Sequence, residues 1–189
     1  MERIKKENLN SPAEFNRLWH GDMAANRRQF DLYRFRALME GIKGRVIELG
    51  CGCSEFLSFA SNHHPEIKAT GLDYSRFAIE YMAMVDPRIE WVLGDALRTG
   101  VDKDLFDFVI SGELIEHLEE PPKLVAEMKR ICKVGGTVRI STLLPHLQAT
   151  DPYHIWKFSE QDLEGFFKVV GPVTVTTVGN YFIVSAVKA

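Results

Sequence analysis

The sequence predicts an α/β protein built on an open, doubly wound and mostly parallel sheet, and three observations support this. An apolar run that begins at Val46 meets a turn with two glycines, Gly50 and Gly52, and then a helical pattern. Further apolar runs alternate with helical patterns as far as residue 142. The last segment, from Val173 to Val187, is typical of a β-hairpin with Gly179-Asn180 at its turn.

Length and composition predict one domain over residues 1–189. The chain is 46% hydrophobic and 26% charged, as ordinary globular proteins are. No apolar run approaches roughly 18 residues and the N-terminus lacks a signal-peptide core, so we expect a cytoplasmic protein without a membrane span. Cys51, Cys53 and Cys132 lack the second ligand pair of a zinc site. We expect them to be buried small residues, and we expect no metal.

Residues 1–44 predict a helical segment that precedes the sheet. Ser11-Pro12 is a typical helix start, and a second helical pattern runs from Arg27 to Met39. This segment either covers the cofactor and substrate site or simply packs on the sheet, and the sequence favours neither. Residues 1–45 carry ten Lys or Arg against six Asp or Glu. This positive excess could attract an anionic substrate, but a solvated helix face is the favoured interpretation.

The other elements alternate regularly along the chain after the glycine turn. The predicted strands are Ile67–Leu72, Ile89–Leu93, Phe106–Ser111 and Thr137–Thr142. The predicted helices run from Arg76 to about Val85, from Pro121 to about Lys133 and from Ser159 to Phe167. A segment without clear periodicity, Leu143 to Lys157, lies between the last of these strands and the last helix, and loops of that length in compact domains are usually functional or mobile.

Acidic residues lie at or just after the ends of the first three predicted strands: Glu48, Asp73 and Asp95. In such sheets ligands bind beyond the carboxyl ends of the strands, so these side chains would line one crevice. Asp73 is placed to bind the hydroxyls of a ribose, and Asp95 to accept from an exocyclic amine, although Asp95 taken alone is also typical of a turn cap. The crevice suits a ligand with cationic groups and no phosphate, and S-adenosylmethionine fits.

The same turn argues against a dinucleotide. The dinucleotide fingerprint requires a third glycine where this chain has Glu55, and a carboxylate at a helix N-terminus would repel a pyrophosphate. Glu48 adds a second negative charge nearby. A nicotinamide oxidoreductase therefore remains a rival interpretation that depends on Glu55 alone.

These motifs together resemble the class I S-adenosylmethionine-dependent methyltransferases, in particular the small-molecule type related to ubiquinone and sterol C-methyltransferases. The resemblance implies a Rossmann-like, seven-stranded sheet with an antiparallel C-terminal strand. The matching segments are Val46–Gly52, Gly71–Ser75, Gly94–Ala96, Phe106–Leu118 and Lys133–Gly136.

The resemblance also implies which residues contact the cofactor. Ser54 stands where the family often has a third glycine, and Val134 stands where it has a proline. The fourth strand is followed by Gly112-Glu113-Leu114 and lacks the Asn/Asp-Pro-Pro-aromatic motif of enzymes that methylate nucleic-acid bases, which argues against nucleic acid. The predicted cofactor-binding residues are Glu48, Gly50, Cys51, Gly52, Asp73, Tyr74, Asp95, Ala96, Ser111 and Glu113.

Methyl transfer from a sulfonium is an in-line displacement, so alignment can supply most of the catalysis and a base is needed only for a tightly held proton. His117 is the first catalytic candidate and His154 the second, with Glu113 and His146 as further candidates. Each histidine taken singly is more typical of a structural or positioning residue. Four aromatic side chains either line an apolar substrate pocket or pack ordinarily: Trp19, Tyr33, Tyr153 and Trp156.

The sequence therefore predicts a methyltransferase that acts on a small molecule. A tRNA-modifying methyltransferase that uses the basic N-terminal segment is the alternative within enzymes. A catalytically silent subunit that binds the cofactor is the alternative from another class. The methyl acceptor and the oligomeric state do not follow from the sequence.

Overall fold

The computed structural model describes residues 1–5, 8–21, 31–148 and 151–189, with no side chains for 19–21. Seven strands within these ranges form one sheet in the order β3-β2-β1-β4-β5-β7-β6. Their bounds are β1 Arg45–Leu49, β2 Lys68–Asp73, β3 Glu90–Leu93, β4 Phe106–Gly112, β5 Cys132–Leu143, β6 Val173–Val178 and β7 Tyr181–Val187.

The strand directions confirm the predicted fold class. The four pairs among β1 to β5 are parallel, whereas β7 runs antiparallel to both β5 and β6. The hairpin predicted at the C-terminus is present, and its second strand inserts between β5 and β6. All the parallel strands therefore point their carboxyl ends toward the same edge, which places the ends of β1 and β4 side by side.

Helices cover both faces of this sheet. Alternate side chains of a strand point to opposite faces, so Ile47 and Leu49 join one apolar cluster while Val46 joins the other. No helix within the described ranges has the length and apolar character needed to cross a bilayer. The helix bounds are α1 Pro12–Gly21, α2 Leu32–Met39, α3 Phe56–His63, α4 Arg76–Val85, α5 Pro121–Ile131 and α6 Glu160–Phe167.

The predicted boundaries agree with these helices, apart from details. The start of the second N-terminal helical pattern, residues 27–30, lies outside the described residues, and α2 begins at Leu32 with Asp31 as its N-cap. The predicted capping box of α6 is present between Ser159 and Asp162. The segment between β5 and α6 contains a four-residue helix, Pro145–Gln148, which was not predicted from the sequence.

The first residues of the chain cross the carboxyl edge of the sheet. Glu2–Arg3 pair antiparallel with Trp156–Lys157 in a two-stranded sheet of their own. Further along, the Asn16 amide oxygen accepts hydrogen bonds from the Ser75 hydroxyl (2.7 Å) and the Phe77 amide (3.2 Å) at the start of α4. The N-terminal arm, defined as residues 1–5 and 8–18, is thus attached at both ends to elements that follow the strands.

A buried arginine ties α2 to the sheet. The Arg139 guanidinium, on β5, donates from Nη1 to the carbonyl oxygens of Ala37 (3.2 Å), Leu38 (3.0 Å) and Glu40 (2.6 Å). It also lies 5.0 Å from the centroid of the Phe108 ring. These carbonyls end α2 and have no partners within the helix, so the charged donor satisfies groups that burial would otherwise leave unpaired.

We expect Arg139→Met to lower the free energy of unfolding by about 2–3 kcal/mol, because the C-terminal carbonyls of α2 lose a charged hydrogen-bond donor. Urea unfolding followed by circular dichroism measures this. The matched control is Arg76→Met, whose guanidinium lies 3.7 Å from Glu80 with both side chains about two-thirds exposed; that change should cost less than about 0.5 kcal/mol. Equal losses for the two variants would show that Arg139 has no special role.

Candidate active site

A cavity of about 420 Å³ lies at the carboxyl ends of β1 to β4. The N-terminal arm closes one side of it with Asn8, Asn10, Pro12 and Phe15. Ten of the twelve residues that the sequence predicted for the site come together around this cavity. These are Glu48, Gly50, Cys51, Gly52, Asp73, Tyr74, Asp95, Ala96, Glu113 and His117.

The glycine turn after β1 depends on backbone geometry that other residues resist. Gly50 has φ 69° and Gly52 has φ 50°, in the left-handed region. A Cβ at Gly50 would come within 2.8 Å of the Leu114 side chain. The turn therefore keeps the main chain close to the cavity floor, where a ligand can approach it.

Asp73 holds this turn against the neighbouring strand. Its carboxylate accepts hydrogen bonds from the amides of Gly52 (2.9 Å) and Ser75 (2.8 Å). Burial raises the pKa of Asp73, although these backbone donors act in the opposite direction. Asp73 thus joins the glycine turn to the start of α4 and also faces the cavity.

Glu48 places a second buried carboxylate beside the turn. Its side chain is 3% exposed, and among the described residues Oε2 has no hydrogen-bond partner. Burial raises its pKa to about 8, while Arg34 lowers it and Asp73 raises it further. A buried carboxylate without a partner is costly, so a bound cation at this position would stabilise its ionised form.

Arg34 lines the cavity and was not predicted from the sequence. It lies on α2, is 3% exposed, and its Nη1 is 2.7 Å from Glu113 Oε1. Burial raises the pKa of Glu113, and Arg34 opposes that rise. Glu113 has φ 51°, unusual for a residue other than glycine, which marks backbone strain at this point. The sequence did contain one indication of this role. Arg34 lies at helical spacing from Leu38 and next to Phe35, on the side of α2 that is buried.

Two predicted site residues lie outside the cavity lining. Ser111 is buried and donates to the Leu49 carbonyl at 2.9 Å. His154 is buried behind His117, with ring centroids 4.6 Å apart, and its Nδ1 is 2.9 Å from the Gln148 carbonyl oxygen. The structure therefore connects both residues to the site through neighbours.

The predicted aromatic pocket has a different composition in the structure. Tyr33 is 72% exposed and lies outside the lining. Tyr153 and Trp156 also lie outside it and use their polar atoms on Glu14 and on the Leu118 carbonyl. The side chain of Trp19 is outside the described residues. Phe15, which the sequence did not predict for the site, lines the cavity instead.

His117 is the histidine that faces the cavity. Its Nδ1 lies 3.0 Å from the Tyr153 carbonyl oxygen, so Nδ1 carries the hydrogen and Nε2 presents a lone pair. Burial and the neighbouring His154 lower its pKa to about 4. His117 is therefore neutral at pH 7 and can accept a hydrogen bond from a ligand.

Comparison with known proteins agrees with this geometry. Residues 47–140 match a family model described as a methyltransferase domain. A malonyl-[acyl-carrier protein] O-methyltransferase from a Paenibacillus species is 23% identical over 130 residues, which cover 62% of this chain and 47% of that protein. A phosphatidylethanolamine N-methyltransferase from Cereibacter sphaeroides is 33% identical over 104 residues, which cover 51% of this chain and 49% of that protein.

A solved structure shows the same fold. A chain from the Haloferax volcanii complex between the Trm112 methyltransferase activator and a methyltransferase superposes with a TM-score of 0.78 at 17% identity, over 93% of this chain and 97% of that one. Residues 47–140 therefore carry a methyltransferase domain, and the fold around them is that of S-adenosylmethionine-dependent methyltransferases, whose cofactor is S-adenosylmethionine. It spans about half the length of the two curated relatives described above.

We expect S-adenosylhomocysteine to release protons when it binds at pH 7. Burial raises the pKa of Glu48 to about 8 in the free protein, and an ammonium group bound beside it would favour the ionised carboxylate. Affinity should therefore increase with pH up to about 8. The folding stability of the free protein has the opposite pH dependence. Because the pKa of Glu48 is raised on folding, its contribution to stability is lost as pH rises from about 4.5 toward 8.

Titration calorimetry in two buffers of different ionisation enthalpy measures the proton release. Glu48→Gln cannot ionise at this position and should remove most of the release. Undiminished release in that variant would assign the titration to another group.

Proposed function

We propose that this protein transfers the methyl group of S-adenosylmethionine to a small-molecule acceptor. The observation that carries the proposal is the pairing of opposite charges in the cavity lining, where Glu48 and Arg34 both lie beside Gly112. A site that binds the zwitterionic end of an amino acid needs one anionic and one cationic side chain close together. Glu48 would bind the α-ammonium of the cofactor, and Arg34 would bind its α-carboxylate.

The remaining lining fits the nucleoside. Asp73, at the end of β2, would accept from the ribose hydroxyls, and Asp95 with Ala96, after β3, would face the adenine. Gly112 permits the close approach of Arg34, since a Cβ there would lie 3.1 Å from its Nη1. Each part of the cofactor thus has a group of matching chemistry at a separate strand end.

The charge of the cavity favours a cationic ligand over a phosphorylated one. The described lining contains five carboxyl groups, of which Glu113 is paired with Arg34 and Glu119 with Arg3. The other three, Glu48, Asp73 and Asp95, have no cation paired with them among the ion pairs of the described residues. Such a surface attracts a sulfonium and an ammonium and repels a pyrophosphate. This supports S-adenosylmethionine over a nicotinamide dinucleotide.

The chain would act chiefly by alignment. The cofactor supplies a methyl group on an activated sulfur. The two charged ends and the ribose-binding carboxylate hold that group in one direction, and Phe15 and Asn10 cover the cavity and exclude water. Neutral His117 orients the acceptor through a hydrogen bond.

The N-terminal charges support a small-molecule acceptor over tRNA. Arg3 pairs with Glu119, Arg17 with Glu14, and Arg34 with Glu113. A phosphate backbone is bound through cations that are available to it. These three arginines instead neutralise carboxylates of the same chain, which reduces the positive surface of the N-terminal segment.

We expect S-adenosylhomocysteine at a hundredfold over its dissociation constant to stabilise the fold by about 2.7 kcal/mol. Asp73→Asn should weaken its binding by about 1.5–3 kcal/mol, the range for hydrogen bonds that involve a charged group. Asparagine is preferable to alanine because it keeps an acceptor oxygen for the Gly52 or Ser75 amide. Calorimetry measures both effects.

Arg76→Asn, on the exposed surface of α4, is the control for these measurements and should bind as the parent does. Stabilisation by NAD without any by S-adenosylhomocysteine would contradict the proposal. Formation of S-adenosylhomocysteine in a single turnover with any acceptor would exclude a silent cofactor-binding subunit.

A further inference from the structure

Four residues of the cavity lining are not used by the cofactor assignment. They are Asn10, Phe15, His117 and Leu118, and we call them the acceptor end. The chemistry of these side chains can be stated atom by atom, because one backbone carbonyl determines the orientation of two of them.

That carbonyl is the one of Tyr153, in the segment between β5 and α6. Its oxygen accepts from Asn10 Nδ2 at 2.9 Å and lies 3.0 Å from His117 Nδ1. Asn10 Nδ2 also donates to the carbonyl of His117 at 2.9 Å. The amide nitrogen of Asn10 and Nδ1 of His117 are therefore both used as donors, which fixes the amide orientation and the imidazole tautomer.

The remaining polar atoms of these two side chains, Asn10 Oδ1 and His117 Nε2, are hydrogen-bond acceptors. Asn10 Oδ1 is buried and, among the described residues, has no hydrogen-bond partner. His117 Nε2 carries a lone pair, and the contacts of the described residues give it no donor. A buried acceptor without a donor costs free energy, so the site is complementary to a ligand that brings hydrogens.

Aromatic rings and charge extend this preference. The Phe15 ring lies 5.7 Å from Tyr74 and 5.9 Å from His117, centroid to centroid, and contacts the acceptor end. Arg34, the cation of the described lining, is ion-paired with Glu113. Aromatic faces and acceptor atoms stabilise ammonium-like groups, whereas a carboxylate would meet lone pairs with no donor opposite.

We propose that the methyl acceptor is a nitrogen that carries two hydrogens, as in a primary amine, held by N–H hydrogen bonds to Asn10 Oδ1 and His117 Nε2. This inference rests on the proposed methyl transfer and adds the chemical class of its substrate. A hydroxyl brings one hydrogen and a carboxylate none, whereas a primary amine brings one hydrogen for each of the two acceptor atoms.

The transfer step balances with an amine. The nitrogen lone pair forms the new bond to the methyl carbon while the carbon–sulfur bond breaks, and its electron pair goes to sulfur, which becomes a neutral thioether. The nitrogen becomes a secondary ammonium and gives its extra proton to water. His117 accepts a hydrogen bond throughout and does not need to take the proton.

The test uses three scaffolds, 2-phenylethyl, 2-(imidazol-4-yl)ethyl and 2-hydroxyethyl, each as the primary amine, the alcohol and the corresponding carboxylate. S-adenosylhomocysteine formed in a single turnover is measured by mass spectrometry. We expect at least one amine to react at least tenfold faster than its matched alcohol and carboxylate. Faster reaction of a carboxylate or alcohol, or no preference in any scaffold, overturns the inference.

A pH profile provides a second readout that does not require a variant. With an amine acceptor, kcat/KM should rise about tenfold per pH unit below the pKa of the amine, because the free base is the nucleophile. A carboxylate acceptor is fully ionised and would give a flat profile between about pH 6 and 9. A flat profile therefore also overturns the inference.

His117→Phe keeps a ring of similar size and removes the Nε2 acceptor. We expect kcat/KM for the amine to fall at least tenfold while affinity for S-adenosylhomocysteine changes less than twofold. His63→Phe, at an exposed position on α3 outside the lining, is the matched control and should leave both unchanged. If the parent protein did not bind S-adenosylhomocysteine, the proposed methyl transfer itself would be overturned. If it bound S-adenosylhomocysteine but showed no preference for amines, this inference alone would be overturned.

Discussion

Carboxylates buried at the ends of parallel strands are the constraint on which this structure depends. Glu48 and Asp73 lie on neighbouring strands, are 3% and 6% exposed, and each has a pKa that burial raises. The fold meets part of this cost with its own backbone, since Asp73 accepts two amides, and leaves Glu48 Oε2 without a partner among the described residues. A cationic ligand would offset the remaining cost of burying the Glu48 carboxylate.

The N-terminal arm turns this strand-end crevice into a cavity. It is attached through the short pairing of Glu2–Arg3 with Trp156–Lys157, through Asn10 at the Tyr153 carbonyl, and through Asn16 at the start of α4. Three separate elements therefore hold one cover in place. The same contacts that close the cavity also orient Asn10 and His117, so the proposed selection of the acceptor would depend on the cover being in place.

The position of Arg34 illustrates how the fold and the site support each other. Arg139 on β5 binds the C-terminal carbonyls of α2, and α2 carries Arg34 into the cavity. Gly112 leaves room for the guanidinium, and strained Glu113 places its carboxylate 2.7 Å away. Arg139, through its hydrogen bonds to α2, thus helps to position Arg34 in the cavity lining.

The sequence by itself determined the sheet, its strand ends and the acidic and glycine positions, because apolar runs and turn residues act locally along the chain. It therefore placed Glu48, Gly50 and Asp73 at one edge correctly. Only the tertiary structure decided which distant residues meet there. Arg34, Asn10 and Phe15 reach the cavity through segments far from the strands, while Ser111 and His154 turn away from it. Such contacts depend on packing between elements, and no local pattern encodes packing.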